Sequence, residues 1–189
     1  MRVHGNKYIK RRTNILQKDY KEYREELEED FYGLCGYCGK NQYAFNERFE
    51  IDHFAPKKKF PERKNDYSNL VFSCSKCNKH KLNKWVTDDP YVSVKDNCGF
   101  IDPASDAFDE NLHRKDSGEI CGITEIGKYM CKELKFDIRP IEMVWKVNKL
   151  NELKEKLENN ETLKGLKEYK EIDKEIKSLL KDLVYKYKE

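Results

Sequence analysis

Two Cys-x-x-Cys pairs, at 35–38 and 74–77, restrict the possible folds of this chain more than any other feature. Four thiolates brought together from two such turns are typical of a tetrahedral site for a structural Zn²⁺ ion. A redox pair would need only one Cys-x-x-Cys, and the cysteines of iron–sulfur centres are spaced differently. A site with four protein ligands has no open position for water, so its ion holds the fold and does not catalyse. We therefore predict one structural zinc ion, bound by Cys35, Cys38, Cys74 and Cys77.

The remaining cysteines and two histidines have no neighbours at ligand spacing. They are Cys98, Cys121, Cys131, His4 and His113. We predict that the three cysteines are small core residues and that the two histidines lie on the surface.

The length and composition limit the class of protein. The chain has 189 residues, which suits one domain with an appendage, and 39% of them are charged. Its apolar stretches are too short to cross a bilayer, and the first residues lack the apolar run of a signal peptide. An odd number of cysteines, four of them in metal-type pairs, argues against a secreted disulfide framework. We predict a cytoplasmic protein that does not associate with membranes.

Positive charge is concentrated between and just after the cysteine pairs. Residues 52–84 carry nine Lys or Arg and three acidic residues, a balance of +6, whereas residues 88–119 carry nine acids and three bases, a balance of −6. Such a basic patch attracts phosphate backbones without distinguishing one sequence from another, although a solvated lysine-rich surface is the simpler alternative. The predicted nucleic-acid contacts are Lys57, Lys58, Lys59, Arg63, Lys64, Lys79, His80, Lys81 and Lys84.

Four regions follow from the patterns along the chain. Residues 1–32 combine a basic arm, either bound to an anion or loose in solvent, with an amphipathic helix over 16–31. Residues 33–86 hold the cysteine pairs, a predicted hairpin over 43–54, a short apolar connection at 69–72 and a helix over 75–85. Residues 87–121 form an acidic, mostly irregular covering segment. Residues 122–189 read as helices over 122–136, 141–157 and from 163 to Tyr187.

Oxygen and imidazole side chains lie between the cysteine pairs. Asp52 and Asn78 offer oxygen ligands suited to Mg²⁺ or Mn²⁺, and a neutral His53 can take a proton from water. Adjacent side chains on a regular strand face opposite sides, so Asp52 and His53 can act on one phosphate only if the strand ends there, and Pro56 favours such an ending. His80 is the alternative to Asn78 as a ligand of this ion. Two positions along a helix are about 200° apart around its axis, so the two side chains cannot both point at the ion.

Four segments together resemble the HNH endonucleases, which have the ββα-metal fold. They are Cys-Gly-Tyr-Cys at 35–38, Phe-Glu-Ile-Asp-His-Phe-Ala-Pro at 49–56, Tyr-Ser-Asn-Leu-Val-Phe-Ser-Cys at 67–74 and Cys-Asn-Lys-His-Lys at 77–81. The resemblance implies an α+β fold, with a zinc-stapled ββα core between an N-terminal helix and a C-terminal helical extension. It also implies that His53 is the general base, Asp52 and Asn78 are ligands of one catalytic Mg²⁺ or Mn²⁺, and Asn69 braces the loop that orients the base.

A second resemblance concerns Phe-Ile-Asp-Pro at 100–103 and the helical tail, which are similar to the nuclease subunits of Septu-type bacterial anti-phage systems. It implies an effector nuclease with an ATPase partner. The apolar stripe of the C-terminal helices would otherwise pack on the protein itself or on a second copy. We predict a DNA endonuclease, with two alternatives: a catalytically inactive, zinc-stabilised nucleic-acid-binding or adaptor module, and an RNA-cleaving toxin.

Overall fold

The computed structural model describes residues 1–158 and 163–186. Its fold is α+β, with small antiparallel strand pairs among helices, as predicted. Tyr187, at the predicted end of the last helix, lies outside the described residues. The elements in chain order are α1 (Arg24–Asp30), β1 (Glu50–His53), β2 (Leu70–Ser73), α2 (Ser75–Lys81), β3 (Val94–Lys95), β4 (Cys98–Gly99), α3 (Asp106–Asn111), β5 (Leu112–Arg114), β6 (Ile120–Gly122), α4 (Glu125–Glu133), α5 (Ile141–Leu157) and α6 (Leu163–Lys186).

Strands β1 and β2 and helix α2 form a ββα unit. The two strands are antiparallel, with Asp52 opposite Val71 and His53 opposite Leu70. The predicted hairpin over 43–54 is wrong, because β1 pairs with residues that the sequence suggested were only a connection. All four residues of β2 are buried, so the strand lacks the alternation that marks a half-exposed strand. Helix α2 follows at once, with the Cys74 sulfur accepting from the backbone N–H of Cys77.

The N-terminal arm packs against the body of the protein, contrary to the loose arm suggested by its charge. Val3 and Ile9 are buried in the core, and Arg11 forms a bidentate ion pair with Asp102 at 2.8 and 2.9 Å. His4 is also buried and was wrongly predicted to lie on the surface. Its Nε2 is 2.8 Å from a backbone oxygen of the first cysteine turn, so the arm covers the back of that turn.

Helix α1 begins later than predicted. A 3-10 turn over Tyr20–Tyr23, with Asp19 as its capping residue, precedes the α-helix. Gly33 takes a positive φ of 64° just after the helix, where an L side chain would be strained.

The covering segment 87–121 contains more regular structure than predicted, namely the two short hairpins β3–β4 and β5–β6 and helix α3. Arg114 in β5 is fully buried and donates to three backbone oxygens, those of Val3, Cys38 and Gly118. The segment is therefore tied both to the N-terminal arm and to the first cysteine turn.

The C-terminal region is helical, as predicted, and the bounds of α5 match the predicted 141–157. Helix α4 begins at Glu125, because Thr124 caps it by accepting from the N–H of Gly127. Helices α5 and α6 pack against each other and are joined by the Lys146–Glu175 ion pair. Within residues 1–158 and 163–186, no helix combines the length and apolar character that a membrane crossing requires.

Candidate functional site

The four paired cysteines converge on one point. Their sulfur atoms all lie within 4.8 Å of one another, and the Sγ atoms of Cys38 and Cys74 are 3.9 Å apart. Zinc–sulfur bonds of about 2.3 Å place the sulfurs of a regular tetrahedron about 3.8 Å apart, so the cluster has the dimensions of a zinc site. All four cysteines are buried. The residues therefore fit the predicted structural ion.

An arginine that sequence reasoning missed completes the surroundings of this cluster. Arg139, between α4 and α5, donates to Cys77 Sγ at 3.2 Å and lies 3.9 Å from Cys74 Sγ. Four thiolates around Zn²⁺ carry an excess of two negative charges, and the nearby guanidinium offsets one of them. No local motif marks Arg139, because it lies 62 residues after Cys77.

The other three cysteines are only partly buried, so their prediction as core residues was too strong. Cys131 packs against the hydrophobic core, and its Sγ lies 3.7 Å from the backbone oxygen of Ile120.

Asp52, His53 and Asn78 line one small cavity of about 150 Å³. Strand β1 ends at His53, so the alternation of the strand stops there and both adjacent side chains reach the same space. The remaining lining residues are Ile51, Lys57, Leu82 and Asn83, and His80 is not among them. Of the two candidates on α2, the structure places Asn78 at the cavity.

His53 is held through one ring nitrogen. Its Nε2 lies 2.9 Å from the backbone oxygen of Lys64. Since a carbonyl oxygen only accepts, Nε2 carries the proton in the neutral ring and Nδ1 keeps the lone pair. Burial is the main cause that lowers the pKa of His53 to about 4, and the positive charges of Lys57 and Lys81 also lower it. The hydrogen bond to the Lys64 oxygen acts in the opposite direction and raises the pKa. The ring is therefore neutral near pH 7 and able to accept a proton.

Asn69 holds the loop that carries this carbonyl. It is fully buried, and its Oδ1 accepts from the N–H of Ala55 at 2.7 Å. Its Nδ2 donates to the oxygens of Ala55 and Arg63 at 3.0 and 3.2 Å. Both ends of the loop 55–63 are thus fixed next to Lys64, whose backbone oxygen orients the His53 ring.

Asp52 is buried and has two donors on one oxygen. Its Oδ2 accepts from the Tyr37 hydroxyl at 2.6 Å and lies 3.3 Å from the Lys81 ammonium. Burial raises the pKa of the Asp52 carboxyl, whereas Lys81 and Tyr37 favour its ionised form. Lys81 is fully buried and donates to the backbone oxygen of His53 at 2.9 Å. The prediction that Lys81 contacts nucleic acid is therefore wrong, because its charge is sealed inside the site.

Asn78 has a neighbour that the sequence analysis passed over. Its Nδ2 donates to Glu50 at 2.5 Å, which leaves the amide oxygen as the atom for a cation. Glu50 lies two residues before Asp52, hence on the same side of β1. That i, i−2 spacing was the signal that could have found it.

The predicted phosphate contacts differ in their surroundings. Arg63 is buried, bonded to Asp66 and Ser68 and to the backbone oxygen of Pro90, so its predicted contact with nucleic acid is wrong as well. Two lysines pair with acids that do not line the cavity, Lys59 with Asp88 and Lys84 with Glu133. Lys57, Lys58, Lys64 and Lys79 are exposed as well, although Lys57 donates to the Tyr20 hydroxyl at 3.2 Å and Lys64 lies 3.8 Å from Asp19.

The order of these parts along the chain indicates the family. A cysteine turn is followed by a strand that ends in Asp-His, a buried Asn, a second cysteine turn and a helix whose fourth residue is Asn78. Residues 35–84 match the HNH endonuclease family. The match covers the ββα unit, the four-cysteine cluster and the cavity, and leaves the N-terminal arm and residues 85–189 outside it. Comparison with curated proteins and with solved structures gives no match.

Proposed function

We propose that this HNH-containing protein is a metal-dependent endonuclease that hydrolyses phosphodiester bonds in DNA, with His53 as the general base. The observation that carries the proposal is that Asp52, His53 and Asn78 line one cavity, while the Lys64 carbonyl fixes the protonated nitrogen of the ring. The match of residues 35–84 to a nuclease family supports the reaction class.

The donors at the cavity suit a hard cation. A carboxylate oxygen of Asp52 and the amide oxygen of Asn78 would hold Mg²⁺ or Mn²⁺, with water completing the coordination. When bound, such an ion stabilises negative charge on the phosphate and on the leaving oxygen. Glu50, bonded to Asn78, orients the amide so that its oxygen is the available ligand atom.

His53 accepts the proton of the attacking water at Nδ1. A pKa of about 4 keeps the free ring neutral throughout the physiological range, although it makes the ring a weak base. The charges of Lys57 and Lys81 contribute to this low pKa, and an anionic phosphate beside them offsets their effect. Substrate therefore strengthens the base that acts on it.

Exposed lysines near the cavity would hold the phosphate backbone. Lys57 lines the cavity, and Lys58, Lys64 and Lys79 are exposed on the loop and helix around it. These contacts give affinity without sequence specificity, and DNA rather than RNA is the proposed substrate.

A plasmid-nicking assay tests the proposal. Wild-type protein should nick DNA with Mg²⁺ or Mn²⁺ and not with chelator, and His53→Ala should lower the rate by at least about 10²-fold because the general base is lost. His113→Ala is the matched control, since this histidine lies on β5 away from the cavity, and it should cut at the wild-type rate. Equal rates for wild type and His53→Ala would refute the catalytic role.

One observation favours the second candidate, a binding module without catalysis. The donors on Asp52 Oδ2 give this carboxylate a structural use that needs no metal. Such a module would shift DNA in a gel while showing no cleavage in any divalent metal. Faster degradation of RNA than of DNA by the same preparation would instead support the RNA-cleaving alternative.

The proposal extends to a role as effector of an anti-phage complex with an ATPase partner. Inside the fold, Phe100 is buried and Asp102 binds Arg11, so these residues of the 100–103 segment serve packing. The surface proposed for the partner is formed by exposed apolar residues of α6, among them Leu166 and Val184. Phage plaque counts on cells expressing the wild type or His53→Ala together with the ATPase test this role.

A further inference from the structure

The hydroxyl of Tyr37 connects the first cysteine turn to the cavity. Tyr37 lies between Cys35 and Cys38 in the first cysteine turn, and its side chain is fully buried. Its hydroxyl donates to Asp52 Oδ2 at 2.6 Å. The turn that carries two zinc ligands thus touches the carboxylate proposed to hold the hard cation.

The second donor on that oxygen comes from the other side of the site. Lys81, at the end of α2, lies 3.3 Å from Asp52 Oδ2 and also donates to the backbone oxygen of His53. With two donors on Oδ2, a cation at this residue would use Oδ1. The two donors therefore set the rotation of the carboxylate plane about χ2, a torsion that is soft when nothing restrains it.

Both donors are held in place. Lys81 is fully buried and bonded to the backbone oxygen of His53. Tyr37 is held by the turn that the four cysteines close, and this turn is tied to β2 by a hydrogen bond from the N–H of Gly36 to the oxygen of Phe72 at 2.8 Å. A ligand carboxylate whose orientation is fixed before the ion arrives loses less freedom on binding it.

On the basis of the proposed function, we infer that Tyr37 is a positioning residue: through its hydroxyl, the cysteine turn fixes the Asp52 carboxylate so that Oδ1 is presented to a divalent cation in the cavity. The hydroxyl touches neither substrate nor water in this role and acts only through Asp52. The structural zinc site would thereby set the affinity of the catalytic ion, in addition to holding the fold.

The test compares two tyrosine-to-phenylalanine substitutions in the full chain. Tyr37→Phe removes the hydroxyl and keeps the ring. Tyr67→Phe is the matched control, because Tyr67 is also buried and its hydroxyl also donates at 2.6 Å to a carboxylate, that of Asp30, which does not line the cavity. Mn²⁺ binding is measured by electron paramagnetic resonance of the free ion, and zinc content is measured by atomic absorption.

Tyr37→Phe should bind Mn²⁺ about 10- to 100-fold more weakly than wild type, while retaining one zinc ion per chain and the wild-type helix content. In the nicking assay the Mn²⁺ concentration for half-maximal rate should rise by the same factor, with the KM for DNA unchanged. Tyr67→Phe should match the wild type in all of these measurements.

Three results would contradict the inference. Wild-type Mn²⁺ affinity in Tyr37→Phe, when the wild type binds Mn²⁺ and cuts DNA, would overturn the positioning role alone. Loss of zinc from Tyr37→Phe would show that the hydroxyl serves the folding of the turn instead. A wild type that takes up no Mn²⁺ would overturn the proposed function, and this inference with it.

Discussion

The buried pair of Lys81 and Asp52 allows a strong prediction about stability. Its two side chains are 0% and 6% exposed, so solvent screens the pair very little. Lys81→Met keeps most of the apolar stem and removes the ammonium. The Asp52 carboxylate then stays buried, and of the two groups on its Oδ2 only the Tyr37 hydroxyl remains. Breaking a buried ion pair on one side costs about 3–5 kcal/mol of unfolding free energy. That is a large share of the roughly 5–15 kcal/mol typical of a domain.

Two further variants distinguish the buried charge from a general effect of losing a lysine. Lys84→Met removes the same group from a pair with Glu133 at 2.6 Å in which the lysine is 39% exposed, and should cost only about 0.2–1 kcal/mol. Adding Asp52→Asn to Lys81→Met removes the orphaned charge, so the double variant should be more stable than Lys81→Met alone.

Urea unfolding followed by circular dichroism, in buffer containing zinc, measures all four proteins. The reasoning would be refuted if Lys81→Met lost no more stability than Lys84→Met, or if adding Asp52→Asn destabilised Lys81→Met further.

Three other predictions concern residues around the two sites. Burial lowers the pKa of His4 to about 4, below the value near 6.5 of an unfolded histidine. The stability that the neutral, buried ring contributes is therefore complete above pH 6.5 and is lost as the pH falls toward 4. When the pH is lowered from 7 to 5, the free energy of unfolding in urea should therefore fall by about 2 kcal/mol less in His4→Gln than in wild type. An equal fall in both proteins would contradict this. Asn69→Ala leaves buried groups of Ala55 unpaired and should lower the free energy of unfolding by about 3 kcal/mol in the same assay. The variant should also nick DNA more slowly than wild type. An unchanged nicking rate would show that the loop orients His53 without Asn69. Arg139→Met should weaken zinc binding by about 10- to 100-fold in competition with a chelating dye, and unchanged affinity would exclude a role for the guanidinium.

The HNH match of residues 35–84 and the main architecture were predictable because their signals are local in the sequence. Cys-x-x-Cys spacing brings two thiolates to one turn whatever surrounds them, and a three-to-four apolar spacing predicts a helix such as α5 without knowledge of its partner. The pairing of β1 was not predictable in this way. Its partner β2 is buried on both faces, so the pattern of residues 70–73 lacked the alternation of a half-exposed strand.

Side-chain environments were the least predictable part. Lys81 and Arg63 belong to a lysine-rich run and look like surface charges, yet the fold encloses both. His4 belongs to a basic N-terminal segment and is nevertheless buried against the first cysteine turn. For Lys81 and His4 the deciding neighbour comes from another element, and charge or spacing along the chain carries no information about it. Arg63 pairs with Asp66 only three residues away, but its bond to the backbone oxygen of Pro90 depends on the fold.

The sequence by itself determined the cluster of four cysteines, the α+β class and the order of residues that marks the HNH family, since these depend on residue types at short, fixed separations. Only the tertiary structure decided that Tyr37 and Lys81 hold Asp52, that Lys64 holds His53 and that Arg139 reaches the thiolates. Those contacts depend on the distances between folded elements, which buried packing sets and which the linear spacing of residues does not encode.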